Sequence, residues 1–186
     1  GTSVGLAGTE ISGKKVGIIG CGQIGTMTAK LFLAFGAEVI AYARNRRPEV
    51  ETLGVKYVSL DELLETSDII SLHTPNNAAT KGMIGKNQIA KMKKTALFIN
   101  CARGPIVDNK ALADALNEGR IAGAAIDVFD MEPPIPSDYP LLHAKNTLLT
   151  PHVAFLTKEA MVRRAKIEFQ NVISFLNGKP ENICKF

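Results

Sequence analysis

Val16-Gly17-Ile18-Ile19-Gly20-Cys21-Gly22-Gln23-Ile24-Gly25 is the stretch on which the fold of this 186-residue chain turns. Val16 to Ile19 is a short apolar run, as expected of a strand covered on both faces. Three glycines follow at once, and beyond them Met27, Leu31 and Ala34 recur at helical spacings. A strand, a glycine turn and a helix, in that order, are the context in which Gly-x-Gly-x-x-Gly holds a dinucleotide. The first glycine permits the tight turn, the second lets a pyrophosphate approach the backbone, and the third lets helix and strand pack closely. The helix N-terminus adds N–H donors and a positive dipole end. Glycines serving only a turn are the plainer alternative, and the flanking strand and helix argue against it.

Outward from this point, β-rich runs alternate with helical patterns. Residues 38–42, 69–72, 96–99, 121–128 and 147–149 read as further strands, which predicts an α/β fold: a doubly wound parallel sheet of Rossmann type. Ser59 and Glu62 predict a capped helix start, and a second helix is expected from near Asp108 to Gly119. Residues 131–140 hold four prolines and are expected to be irregular. Val162, Ala165, Phe169, Val172 and Leu176 mark a final amphipathic helix that stops at Gly178 and Pro180. The expected division is a dinucleotide-binding domain over 1–155 and a C-terminal helix and tail over 156–186.

Composition narrows the function classes. The chain is 46% hydrophobic, and no apolar run reaches the roughly 18 residues that span a bilayer. Cys21, Cys101 and Cys184 are far apart and the histidines do not cluster, so neither a disulfide framework nor a metal site is expected, and a reducing cytoplasm is. The net charge is +4, and its one concentration, Arg44, Arg46 and Arg47, lacks the interleaved aromatics of a single-strand nucleic-acid binder. No nucleic-acid or membrane partner is expected.

In a doubly wound sheet, ligands gather at the carboxyl ends of the strands. Arg103 follows one such end, Asp127 lies at the next with Glu132 just beyond it, and His152 follows the last. A lone loop arginine, a glutamate before proline or a single histidine is ordinarily a structural or solvated residue. Beside a dinucleotide site, their shared edge gives them weight as a group.

Taken together, the glycine fingerprint, Asn100-Cys101-Ala102-Arg103-Gly104, Asp127-Val128-Phe129-Asp130-Met131-Glu132-Pro133 and Thr150-Pro151-His152 resemble the signatures of the D-2-hydroxyacid dehydrogenases. His73-Thr74-Pro75 is similar to a family segment beside the cofactor. The resemblance implies hydride transfer between a nicotinamide cofactor and a small 2-keto or 2-hydroxy acid. In it Arg103 holds the substrate carboxylate, His152 exchanges the proton, and Glu132 pairs with His152 and favours its protonated form. It implies cofactor contacts from Gly20, Gly22, Gln23, Ile24, Gly25, Arg44, Thr74, Pro75, Thr80, Cys101, Ala102, Arg103, Asp127 and His152, with Asp127 facing the nicotinamide. Formate dehydrogenases of the superfamily carry glutamine where this chain has Glu132, so glutamate favours acid–base chemistry here. The family also implies a homodimer. A different class within the resemblance is a dinucleotide-responsive, corepressor-like binding protein, which can keep the same three polar residues.

Two departures from the family pattern stand out. Gly1 occupies the start, which leads us to expect a preceding segment that builds most of the substrate lobe, and slow or absent turnover without it. The acidic residue expected at the end of the second strand is replaced by Ala43, followed by Arg44, Asn45, Arg46 and Arg47. This favours NADP over NAD.

Overall fold

Strand β1 (Lys15–Ile19) pairs in parallel with β2 (Glu38–Tyr42) on one side and with β4 (Ile69–Leu72) on the other. From there β3 (Lys56–Tyr57) extends one edge, while β5 (Leu97–Asn100), β6 (Gly123–Ile126) and β7 (Thr147–Leu149) extend the other. The order is β3-β2-β1-β4-β5-β6-β7, all parallel. Chain direction along the sheet reverses between β1 and β4, which opens a crevice at their carboxyl ends. The computed structural model describes residues 8–131 and 134–183 and divides into two compact units, Gly1–Pro151 and His152–Phe186. The doubly wound parallel sheet expected from the sequence is present.

Alternation along β1 sends Val16 and Ile18 to one face and Ile19 to the other, so the sheet carries a core on each side. On the first face, Val16, Ile18, Val39 and Ala41 pack with Ala29 of α1 (Gln23–Ala34). On the second, Ile70, Leu72 and Phe98 pack with Leu63 and Leu64 of α3 (Leu60–Thr66) and with Leu112 and Leu116 of α5 (Asn109–Asn117). The two capped helix starts form as expected: Ser59 Oγ accepts the Glu62 N–H at 3.1 Å, and the Asp108 carboxylate accepts the Ala111 N–H at 2.9 Å. At the amino edge of the sheet, Asp68 accepts the Lys15 N–H at 2.9 Å and pairs with Lys93 at 3.0 Å.

Several elements differ from expectation. The short α2 (Pro48–Glu51), α4 (Lys86–Lys91) and β3 carry too few apolar repeats to announce themselves. The strand expected over 121–128 is regular only at 123–126, although Ala122 and Asp127 still donate to Ala96 and Asn100 at its two ends. In α1, Met27 and Leu31 face outward together with Ile24 and Phe35, while Gly25 and Ala29 face the sheet. Both faces of this helix are apolar, and small residues win the sheet side because they let the helix axis come close.

The second unit is built on α6 (Lys158–Leu176), whose first turn is capped by Thr157 Oγ1 accepting the Ala160 N–H at 3.1 Å. The helix runs where its apolar spacing places it. Its residues Val162, Phe169, Val172 and Leu176 are exposed.

Candidate cofactor site at the carboxyl edge of the sheet

Gly20 sits at φ +97, a conformation only glycine adopts readily, and its amide donates to the Tyr42 carbonyl at 2.8 Å. The turn this makes is closed by Gly25, where any Cβ would collide with the Gly20 carbonyl oxygen. Gly22 is different in kind: a Cβ there would meet nothing within 4 Å. Its side faces open space at the N-terminus of α1, where no side chain caps the helix. Two glycines therefore serve packing, and the third leaves room for a ligand. First-turn N–H groups with no side-chain cap and a cradle that a Cβ would narrow fit an anionic pyrophosphate.

A cavity of about 410 Å³ opens beside this turn. It is lined by Gly20, Cys21 and Gly22 from the glycine turn, by Ala43, Arg44, Asn45 and Arg47 after β2, and by His73, Thr74, Pro75 and Thr80 after β4. Of the residues expected to touch cofactor, Gly20, Gly22, Arg44, Thr74, Pro75 and Thr80 meet here. Thr80 also closes its own loop, its hydroxyl donating to the Pro75 carbonyl at 2.6 Å and accepting the Asn77 N–H at 2.9 Å. Gln23, Ile24 and Gly25 lie on the first turn of α1 and do not line the cavity.

The arginines divide their work. Arg44 is exposed at the rim and makes no ion pair among the described residues. Arg47 approaches Glu49 at 3.8 Å. Arg46 does not line the cavity; its guanidinium lies 5.8 Å from the centre of the Tyr57 ring. The aromatic face offers the Arg46 cation a place away from the cavity.

Behind Gly20 and Gly25 stands His73, whose Nε2 shares a hydrogen bond of 2.9 Å with Ser71 Oγ. Burial pushes its imidazole pKa down, favouring the neutral ring.

Further along the edge, Arg103 follows β5 in extended backbone and is exposed, with Nη1 donating to the Ala102 carbonyl at 2.6 Å. Its loop is held by Asn100, fully buried, whose Oδ1 accepts the Ala102 N–H at 2.9 Å and whose Nδ2 donates to the Arg103 carbonyl at 3.2 Å. Gly104 then packs so tightly that a Cβ would collide with the backbone of Phe129 and Asp130. That contact joins the Arg103 loop to the Asp127 loop. Asp127 is buried, and its Oδ1 accepts the Thr150 hydroxyl at 2.6 Å, tying β6 to the end of β7. Cys101 is a free cysteine on an exposed residue, and partial desolvation of its thiol, followed by the nearby Asp127 carboxylate, raises the pKa.

Glu132 lies outside the described residues. Among the described residues, the Tyr139 hydroxyl donates to Asp130 at 2.6 Å and its ring meets Phe129 edge-on at 5.7 Å. His152 opens the second unit with a left-handed backbone, φ 55, and its ring meets Phe155 edge-on at 5.9 Å. Phe155 in turn lies 5.9 Å beneath the Arg164 guanidinium of α6. Asn100, Thr150 and Tyr139 were missed as positioning residues in the sequence. Only Asn100 carried a signal, a polar residue closing an apolar strand three positions before the arginine.

The parallel sheet with a glycine cradle at its switch point defines a dinucleotide-binding domain of Rossmann type. The sequence model of "D-isomer specific 2-hydroxyacid dehydrogenase, NAD binding domain" matches residues 2–154, and the chain belongs to this family. A glyoxylate reductase of Thermofilum pendens is 46% identical over 94% of this chain, which spans 52% of that relative's length. An NAD-complexed D-isomer specific 2-hydroxyacid dehydrogenase from Lactobacillus delbrueckii ssp. bulgaricus superposes with a TM-score of 0.87 at 39% identity, covering 97% of this chain and 58% of that one. An acyclic imino acid reductase in complex with NADPH and D-Arg superposes with a TM-score of 0.84 at 35% identity, covering 95% and 55%.

Two outcomes follow from the cradle. Gly22→Ala should cost less than about 1 kcal/mol of stability, as expected for Gly against Ala at a helix N-cap. It should weaken dinucleotide binding by about tenfold or more, because the methyl occupies the pyrophosphate approach. Thermal melting and calorimetric titration separate the two effects. For His73, a folded-state pKa below the unfolded value means that its contribution is fully present above about 6.5 and is lost as pH falls through the folded value. His73→Gln should therefore flatten the loss of stability between about pH 7 and pH 5, read by urea denaturation at each pH. An unchanged slope would remove His73 from the cause.

Proposed function

We propose that this chain is the cofactor-binding part of an oxidoreductase that moves a hydride between a nicotinamide and a small 2-keto or 2-hydroxy acid. The observation that carries the proposal is the open Gly22 cradle on the same sheet edge as the Asn100-clamped Arg103 loop. The nicotinamide, when bound, supplies the hydride. Arg103, exposed and committed through one nitrogen, has donors left for a substrate carboxylate in paired geometry. His152 would hold or release the proton at the reacting oxygen, with Glu132 as its partner, and Asp127 would face the nicotinamide. Residues 1–155 would hold the cofactor and 156–186 would belong to the substrate side. Cys21 and Cys101, both free thiols, suit the cytoplasm.

The proposed cofactor is NADP in preference to NAD. A carboxylate after β2 would bond the ribose hydroxyls and repel an added phosphate, and Ala43 does neither. Arg44 at the cavity rim, with no competing carboxylate among the described residues, suits that phosphate. An exposed Arg–phosphate contact contributes roughly 1.5–3 kcal/mol, or about a ten- to hundredfold preference. Calorimetric titration of the chain with NADPH and NADH is the test. Arg44→Ala should weaken NADPH more than NADH, with added salt narrowing the gap. Equal affinities, or tighter NADH binding, would sink the preference.

We also propose a homodimer. Ile24, Met27, Leu31 and Phe35 lie at spacings of three and four on α1 and are all more than half exposed. Such a stripe on a helix already packed by its other face suits a second copy. Light scattering should show a dimer, and Leu31→Asp should give a folded monomer. A monomeric parent chain would refute this assembly.

A further inference from the structure

The arginine loop has a support on the edge of the sheet that phosphate recognition by Arg44 does not itself explain. Tyr57 ends the two-residue strand β3, opposite Ala41 of β2, and is buried. Its hydroxyl accepts the Arg47 N–H at 3.2 Å. Its ring faces the Arg46 guanidinium. Tyr57 also belongs to the same buried cluster as Cys21, which lies inside the glycine turn. One side chain thus holds the loop that carries Arg44 and packs in the core beneath the turn that would meet the pyrophosphate. The other anchor of this loop is local: the Val50 N–H donates to the Arg47 carbonyl at 3.0 Å and Val50 is buried, whereas the Arg47–Glu49 pair is exposed and long at 3.8 Å.

We propose that Tyr57 is a positioning residue for cofactor choice, holding the Arg44–Arg47 loop against the glycine turn so that Arg44 stays at the rim where a phosphate ester on the adenosine ribose would lie. This rests on the preference for the phosphorylated dinucleotide proposed above. Arg46 becomes part of the same brace rather than a ligand contact. A long cationic side chain on a free loop loses affinity to the entropy of ordering it, and a loop tied at Arg46 and Arg47 has less to lose. A tyrosine that merely filled the core would affect both dinucleotides alike, since they share every contact except that phosphate.

The 186-residue chain, Tyr57→Phe and Tyr57→Leu are each titrated with NADPH and with NADH, folding being checked by circular dichroism. Tyr57→Phe keeps the ring and removes the acceptor of the Arg47 N–H; it should weaken NADPH about three- to tenfold, as for one lost hydrogen bond, with NADH within about twofold. Tyr57→Leu removes the ring that Arg46 faces as well and should bring the two affinities within about threefold. A wild-type chain with no preference for NADPH overturns both the cofactor assignment and the role of Tyr57. A wild-type preference that survives in both variants, or a parallel loss of NADPH and NADH, overturns Tyr57 alone. Should Tyr57→Leu fail to fold, Tyr57→Phe decides, because it keeps the buried ring.

Discussion

The closeness of α1 to β1 is the constraint from which the site follows. Gly25 can sit against the Gly20 carbonyl only because it has no side chain, and Gly20 can turn there only because φ +97 is open to it. With the helix drawn in this far, its first turn points into the crevice between β1 and β4, and the backbone after β4 at His73 and Thr74 packs directly on Gly20. A single methyl at either glycine would push the helix start outward. The donors at the N-terminus of α1 would then no longer converge on the crevice, and the dipole that favours an anion there would be misdirected. The same approach buries His73 and thereby sets its protonation.

Along the rest of the edge, exposed Arg103 stands on backbone that is held by buried polar side chains. Arg103 is free to reach for a ligand, while Asn100 beneath it spends both ends of its amide on the loop. Asp127 and Thr150 bind two strand ends together. Each clamp satisfies polar groups that burial would otherwise penalise. Rigid support under a mobile cationic head keeps a site preorganised without burying the charge. Tyr57 and the arginine loop after β2 repeat the pattern.

How far the sequence foretold this depends on how local each cause is. The strand–glycine–helix unit and the two side-chain caps rest on contacts between near neighbours, and they formed where their residues predicted. The face that α1 turns to the sheet was not legible, since Met27 and Leu31 make as good an apolar stripe as Ala29 with Phe32 and Leu33; closeness of approach, a tertiary property, decided it. The division of labour among Arg44, Arg46 and Arg47 was hidden for a similar reason. It depends on Tyr57, ten residues beyond Arg47 and on an edge strand too short to predict. The placement of Arg103 and Asp127 at strand ends was legible, and their clamps, Asn100 and Thr150, were not, because each hydrogen bond depends on where a loop turns.

His152 shows the same logic in strained form. A non-glycine residue at φ 55 occupies the left-handed region, at a cost on the order of 1–3 kcal/mol, and persists only where its surroundings determine it. Within its own unit the imidazole meets Phe155 edge-on, and Phe155 is faced by Arg164 from α6. Ring, aromatic and guanidinium form a stack that couples the histidine's orientation to the helix following it. A histidine kept for structure alone could relax into an ordinary backbone conformation and lose little. One whose ring must keep a fixed direction could not, and the left-handed turn is one way to set it. The edge-on contact with Phe155, itself faced by Arg164, gives the imidazole a defined direction within this unit and links it to α6.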